Sequence, residues 1–503
     1  MHAAYRSAIA ALSTIAFLLA QGPAVASERV TPARPDVVVV GGTPAGVAAA
    51  VAAARHGATV ALVASGTDLG GILTGAMMDQ WDLNLAPDGT SIEEGIFDEL
   101  YDRLGDVFSP ATAARTLAQF VAAQPRIDVW YDETPVAVAT SVAPRGRRVD
   151  TVTFANTRSG ALSVVGAPFI VDATDAADVA VLAGAHYDVG RQDTGIDERA
   201  QAVTEMFTLR GVDWHAVAGS YDALRFGAGG VSERRAWGYA KLMRAYRPSS
   251  RDVVVRDLNF GRMSDGSVVV NAVDVFGIDG LDRLQLERAR RLTQAEAARL
   301  VEYLRVRVPG FEAARVDRFA ADVYVRETRH IAGDERVTSD DVWLGRIPSD
   351  SIGLSSYPID LHPVDASDRA AFAPIRHVYG IPFGALIPKD LTNVVLAGPA
   401  VSATHLASGS LRVVPSTIEE GQAAGVASAF AFWNCIDFQQ FAASYEHVSS
   451  LRRQLAADGV LVGVPALGRL ARVRHLRSAT GLRFSSDRPV RDRNSRRYHL
   501  SLP

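Results

Sequence analysis

Four consecutive valines occupy positions 37–40, and an uninterrupted apolar run of that length predicts a strand buried on both faces of a parallel sheet. The chain then turns at Gly41 and Gly42. Pro44 falls at a first helical position, where its missing N–H costs nothing, and residues 45–55 are almost all alanine and valine. That composition predicts a slim helix lying close to the sheet. Gly57 ends it, and residues 59–64 return as a second buried strand. Residues 92–123 read as two helices, and 127–131 and 136–139 as strands. The opening pattern recurs at 169–178, where a buried strand leaves into a polar turn and another Ala/Val helix, and at 393–399, a strand ending in glycine. Between about 205 and 386 the character changes: 204–209 and 267–271 are strand-like, and 281–308 is an amphipathic helical segment, in one piece or two, closed by Pro309 and Gly310. A section so rich in strands and loops suits a domain that covers a ligand.

The tight turn after the first strand points backbone N–H groups and a helix N-terminus at whatever lies above the sheet, which is how such loops hold a pyrophosphate. The G-x-G-x-x-G spacing would place glycines at 41, 43 and 46, but position 43 is Thr43. The acidic residue expected after the second strand is Ala64, followed by Ser65 as a weaker donor or acceptor to a ribose. The competing reading is a glycine-bearing turn in an unrelated α/β protein. Gly70, Gly71 and Thr74 suggest a second close approach of backbone to a flat ligand, since Ile72, Leu73, Met77 and Met78 are too apolar for a surface turn. Asp172, Asp175 and Asp178 at the end of the 169–172 strand also suit helix N-capping. Late in the chain, a helix at 421–425 starts on tiny residues, again permitting close approach to a ligand edge. A second glycine and alanine site so far along the chain makes the nucleotide-binding domain discontinuous. Two clusters in the middle section, 324–330 and 357–362, combine Arg, Tyr, Asp and His as a polar substrate pocket requires, and as surface ion pairs also do.

At 503 residues the chain is too long for one simple core. A formal net charge of −4 gives no sign of nucleic-acid binding over most of it. Arg6, the apolar run 8–20 and the Ala-Val-Ala at 24–26 have the layout of a secretory signal over residues 1–26, with an apolar run too short for a stable anchor. The reading is therefore an exported protein with no membrane span after signal cleavage. The single cysteine, Cys435, excludes an internal disulfide and reads as a packed core thiol, with a covalent cofactor link as the remote alternative. Residues 469–497 carry ten arginines against two aspartates, and 466–503 read as a poorly ordered basic tail.

The segments VVVVGGTPAG, LGGILTG, FIVDATDAADVA, YVRETRHIAGDERVTSDDV, SYPIDLH, IPFGALIPKDLTNVVLAGPAVSATH and GSLRVVPSTIEEGQAAG, in this order, span most of residues 36–435. In them the chain resembles the bacterial FAD-dependent oxidoreductases of the two-dinucleotide-binding flavoprotein superfamily. The resemblance implies an α/β fold: a discontinuous Rossmann-like FAD-binding domain at 27–204 and 391–465, with an inserted α+β substrate domain at 205–390. It implies FAD with its pyrophosphate on Gly41, Gly42 and Gly46, in a turn shared with Thr43 and Ala45. Ser65, Val136, Ala173 and Thr174 join the cofactor set, the last two beside the adenosine half. The ribityl chain and ring would pass Gly70, Gly71 and Thr74, Gly398 would approach the pyrophosphate or ribityl chain, and Gly421, Gln422 and Ala423 would lie near the flavin pyrimidine. Many relatives carry an acid after the last strand's glycine, where this chain has Pro399. A flavin moves a hydride, and the protein supplies orientation and a proton acceptor. The residues assigned here are His405 as acid/base, Arg326 and Arg412 as anchors for negative charge, and His362 as second choice of base. The implied partners are a small polar substrate and an electron acceptor; no metal site is assigned. A reductase of an activated double bond and a binding protein on a degenerate flavoprotein scaffold are the alternatives.

Overall fold

The valines of the opening strand, Val37–Val40, form the centre of a five-stranded parallel sheet. Across it the strands run Val394–Leu396, Phe169–Asp172, Val37–Val40, Val60–Val63 and Ile127–Trp130. The computed structural model describes residues 34–463 apart from 88, 90, 369, 370 and 376. The expected signal at 1–26 and the basic tail at 466–503 lie outside the described residues. Burial on both faces explains the apolar runs: every residue of the three inner strands is buried.

The predicted slim helix is Pro44–Arg55, capped by Thr43 and buried along all but its last residue. Its alanines let a second helix, Val414–Asn434, approach very closely. A Cβ added at Gly421 would fall 2.1 Å from the Ala45 carbonyl oxygen, and one at Gly425 2.2 Å from that of Ala49. This corrects the expected place of residues 421–423. The helix begins at Val414 with Pro415 in its first turn, so Gly421 lies two turns inside it and serves helix-on-helix packing. Gln422 is occupied elsewhere, its Oε1 accepting the Ile96 N–H at 2.9 Å, and Ala423 is fully buried. Cys435 is corrected too: it caps the same helix in a left-handed conformation (φ 54°) and is exposed, because the helix has already left the core.

The strand expected at 136–139 is the longer Glu133–Ala143, one of three antiparallel strands inserted before Phe169–Asp172. In the middle section a six-stranded antiparallel sheet, which includes Phe207–Arg210 and Val268–Asn271, packs its apolar face on the helix Arg283–Arg307. That helix is one unbroken piece of 25 residues, with no Gly or Pro to interrupt it and Asp282 capping its start. It contributes Ala297, Leu300 and Leu304 to a second core with Phe207, Phe260 and Val270.

Candidate active site

Four strand ends meet at the carboxyl edge of the parallel sheet, beside the point where strand order reverses. Gly41 has φ 117°, and a Cβ there would lie 2.3 Å from the Ala173 carbonyl oxygen, so only glycine fits the turn. Thr43, standing where the second glycine of the motif would be, is absorbed by the turn itself. Its Oγ1 accepts the Gly46 N–H at 3.1 Å and donates to the Ala173 carbonyl at 2.9 Å.

The neighbouring strand ends are fixed by buried polar groups. Asp172 accepts from the Thr174 hydroxyl at 2.7 Å and the Ala180 N–H at 2.8 Å, and burial pushes its carboxyl up to about 6. Gly398 (φ 114°) donates its N–H to buried Glu420 at 2.8 Å, and a Cβ there would meet no protein atom within 4 Å. The loop after the second strand is pinned by Gly70, whose N–H donates to the Gly42 carbonyl at 2.6 Å, and turns into a 3₁₀ segment, Gly71–Leu73.

These ends open into one cavity of about 700 Å³, within the range of about 300–1,000 Å³ usual for small-molecule and cofactor sites. Of the residues expected to bind the cofactor, Gly41, Gly42, Thr43, Ala45, Ser65, Gly71, Thr74, Thr174 and Gly398 line it. Gly46, Gly70 and Ala173 stand behind that lining. Gly46 lies against the Gly41 carbonyl, Gly70 against Leu117, and Ala173 against Gly41. Val136 is displaced because it forms a bulge between Pro135 and Ala137, leaving Thr134 and Pro135 at the cavity wall. The helix of residues 421–423 does reach the cavity, but through Val414 and Thr417 in its first turn.

The far wall is polar and comes from the segment 321–328 together with Arg412. Arg326 is buried, donating to the Ala202 carbonyl and the Thr204 hydroxyl at 2.8 Å each and pairing with Asp274 at 3.3 Å. Arg412 is buried too, donating to the Tyr324 hydroxyl at 2.7 Å and to the Asp360 carbonyl at 3.1 Å. Burial works against its charge, but Tyr324 and Asp360 outweigh that and raise its pKa further.

Neither histidine assigned to acid/base chemistry lines the cavity, which corrects both assignments. His405 starts the helix His405–Leu411 behind the wall, and its Nδ1 lies 2.8 Å from Glu327 Oε1. The same oxygen takes His330 Nε2 at 2.9 Å, and Oε2 accepts the Gln201 N–H at 3.0 Å. Burial tends to lower the His405 pKa, and the hydrogen bond and charge of Glu327 reverse that to a net rise. Burial likewise tends to raise Glu327, and its two histidines bring it well below the usual range. His362 bridges two carboxylates, Nδ1 2.7 Å from Asp274 and Nε2 3.6 Å from Asp360. Each of those carboxylates holds one of the cavity arginines. The sequence reading assigned no role to Tyr324, Glu327, Asp274 or Asp360. Three of these stand in the two polar clusters already singled out, so the signal was there without the pairing; Asp274 had none.

A family model described as FAD dependent oxidoreductase matches residues 36–455. The chain belongs to that family. Its cofactor is FAD, and the residues present fit one: bare backbone at Gly41 and Gly42, and a Gly398 whose Cβ direction is open space. Searched against curated proteins, the chain finds no match. Among solved structures it is similar to a p-nitrophenol 4-monooxygenase from Pseudomonas putida, at 13% identity and TM-score 0.37, covering 86% of this chain and 91% of that one. It is also similar to a geranylgeranyl bacteriochlorophyll reductase-like protein from Thermoplasma acidophilum, at 13% identity and TM-score 0.41, covering 88% of each. A third likeness is to a myxobacterial chondrochloren halogenase, at 14% identity and TM-score 0.41, covering 84% of this chain and 79% of that one. At such values no substrate carries over to this flavoprotein.

Proposed function

We propose that this FAD-dependent oxidoreductase is exported and moves a hydride between a small polar organic molecule and its flavin, oxidising a C–H bond that bears oxygen or nitrogen. The observation that carries the reading is a single cavity that begins on the glycine turn and ends on Tyr324, Arg326 and Arg412. When bound, FAD supplies a two-electron hydride acceptor and donor. Gly41, Gly42 and Gly398 would leave backbone room for its pyrophosphate, Ser65 and Thr174 would face the adenosine half, and Gly71 and Thr74 the ring side. The first turn of the helix Val414–Asn434 brings a positive dipole end to the same cavity. Arg326 and Arg412 set fixed positive charge at the wall, suited to steadying negative charge on substrate or cofactor. His405 and His362 act through Glu327, Asp274 and Asp360 as positioning residues. Export rests on the layout of residues 1–26.

A visible spectrum of the purified protein, followed by anaerobic mixing with alcohols and amines, tests the reading. Bleaching of the flavin bands by one of these is the expected result. Bleaching by dithionite alone, with reoxidation by unsaturated acids, would replace it with a reductase. A preparation that stays colourless after added FAD would end it.

A further inference from the structure

Two carboxylates of the cavity wall, Asp175 and Asp322, have no side-chain partner among the described residues. They come from opposite parts of the fold: Asp175 follows the strand Phe169–Asp172, and Asp322 follows the strand Arg315–Phe319 of the middle section. Asp322 is held in place, its N–H donating to the Gly75 carbonyl at 2.9 Å. Its carboxylate lies against Gly75 so closely that a Cβ there would fall 1.9 Å from Oδ2. Asp175 is open to the cavity, yet enough protein surrounds it that burial raises its carboxyl to about 6, with the charges of Asp178 and Asp322 adding to the rise. The cations nearby are already matched. Arg326 pairs with Asp274, Arg412 with Asp360, and Arg329 with Asp178 at 3.0 Å, so the charge of the two free carboxylates stands uncompensated. On the same segment as Asp322, Thr328 keeps a buried hydroxyl that no protein group satisfies, the mark of a wall completed by a ligand.

We infer that the substrate is an amine that enters as its ammonium ion, with Asp175 and Asp322 as the residues that select it; this deepens the redox reading above and rests on it. The ammonium first gives up one proton, through a carboxylate to solvent, and becomes the free amine. The C–H bond next to nitrogen then breaks, its hydrogen leaving with the electron pair as hydride to the oxidised flavin, while the nitrogen lone pair forms the C=N bond of an iminium ion. The substrate loses two electrons and the flavin gains two. Water then adds to the iminium carbon, and the carbonyl product and ammonium leave. Positive charge returns to nitrogen as the C–H bond breaks, so carboxylates beside it favour the transition state over the free amine. An alcohol gains no positive charge that needs them and must lose its hydroxyl proton, a step that negative neighbours oppose. The pair therefore discriminates between the two substrate classes by charge.

The test uses holoenzyme of the wild type, Asp175→Asn and Asp322→Asn, each checked for flavin content. The binding probe is tert-butylammonium, whose nitrogen-bearing carbon has no hydrogen to lose, with tert-butanol as its neutral match. Calorimetric titration should show each variant binding the cation roughly 10–100-fold more weakly, the worth of a charged hydrogen bond, while tert-butanol shows no such change. Anaerobic mixing with primary amines from ethylamine to benzylamine, each beside the alcohol of the same skeleton, should bleach the wild-type flavin with the amines faster by about tenfold or more. Cation affinity within about twofold of wild type in both variants overturns the inference. So do alcohols that bleach as fast as their matched amines, and variants that lose FAD affinity but keep the cation, since the carboxylates would then serve the cofactor. If no amine or alcohol bleaches the flavin while the cation still depends on both aspartates, the redox reading falls and the cation-selecting pair stands.

Discussion

The Ala45 carbonyl oxygen occupies the space a Cβ at Gly421 would need, 2.1 Å from its ideal position. Two helices therefore meet backbone to backbone directly beneath the cofactor cavity. Gly421→Ala should destabilise the protein by about 1–3 kcal/mol through overpacking, read as a lower midpoint in urea. Gly219→Ala is the matched contrast. Gly219 sits in the helix Trp214–Ser220 with nothing within 4 Å of its Cβ direction, so the same change should stabilise by about 0.5–1 kcal/mol.

Gly398 poses the opposite case. Its Cβ direction is open space at the cavity wall, so a methyl group there would meet ligand before protein. Gly398→Ala should weaken FAD binding by tenfold or more, since about 1.4 kcal/mol of lost contact is tenfold. The positive φ of 114° adds a fold cost of about 1–2 kcal/mol. Titrating the flavin-free variant with FAD separates the two: loss of stability with unchanged affinity would refute the cavity placement.

His405 and Glu327 form a buried pair at 2.8 Å with the histidine's pKa raised. His405→Asn should cost about 3 kcal/mol, the lower end for removing one partner of a buried pair, because His330 and Gln201 still serve Glu327. The sign with pH follows from the raised folded value. The His405 contribution is complete below its unfolded value of about 6.5 and fades as pH rises through the folded one. The stability gap between wild type and variant should be widest in mild acid and narrow toward alkaline pH. Denaturant titrations at several pH values would show it, and a gap that widens with pH would contradict the pairing.

Asn84 is buried, and its Oδ1 accepts from the Ser355 hydroxyl and the backbone N–H groups of Ser356 and Tyr357 at 2.8–2.9 Å. Its Nδ2 donates to Glu93 and Ser416, the latter at 3.0 Å. One side chain thus ties the loop leading to Asp360 onto the start of the Val414–Asn434 helix. Asn84→Ala strands these partners and should cost about 3 kcal/mol. Through Tyr357 and Asp360 it should also loosen Arg412 and weaken FAD binding, a joint loss that a titration of the variant would reveal.

Most of the parallel sheet was legible because buried strands and a small-residue helix leave local marks: four valines, a Pro at the first helical position, and alanines along 45–54. The turn glycines were legible for the same reason, since a positive φ such as that of Gly41 is a local demand. The misplacements at 421–423 share one cause. Small residues that let a ligand approach and small residues that let a helix approach look alike in a sequence, and here the partner was Ala45. The two histidines went astray because composition shows that His, Asp and Arg are near one another in the chain, but not which one faces the cavity.

From the residue order alone came the flavin-binding α/β class and the glycine turn, because local periodicity and backbone conformation are written in neighbouring residues. Folding alone decided that Tyr324 and Arg412, 88 positions apart, meet at 2.7 Å on the cavity wall while His405 stands behind it. Such contacts join segments distant along the chain, and side-chain direction at a shared wall depends on how those segments pack, which no local pattern records.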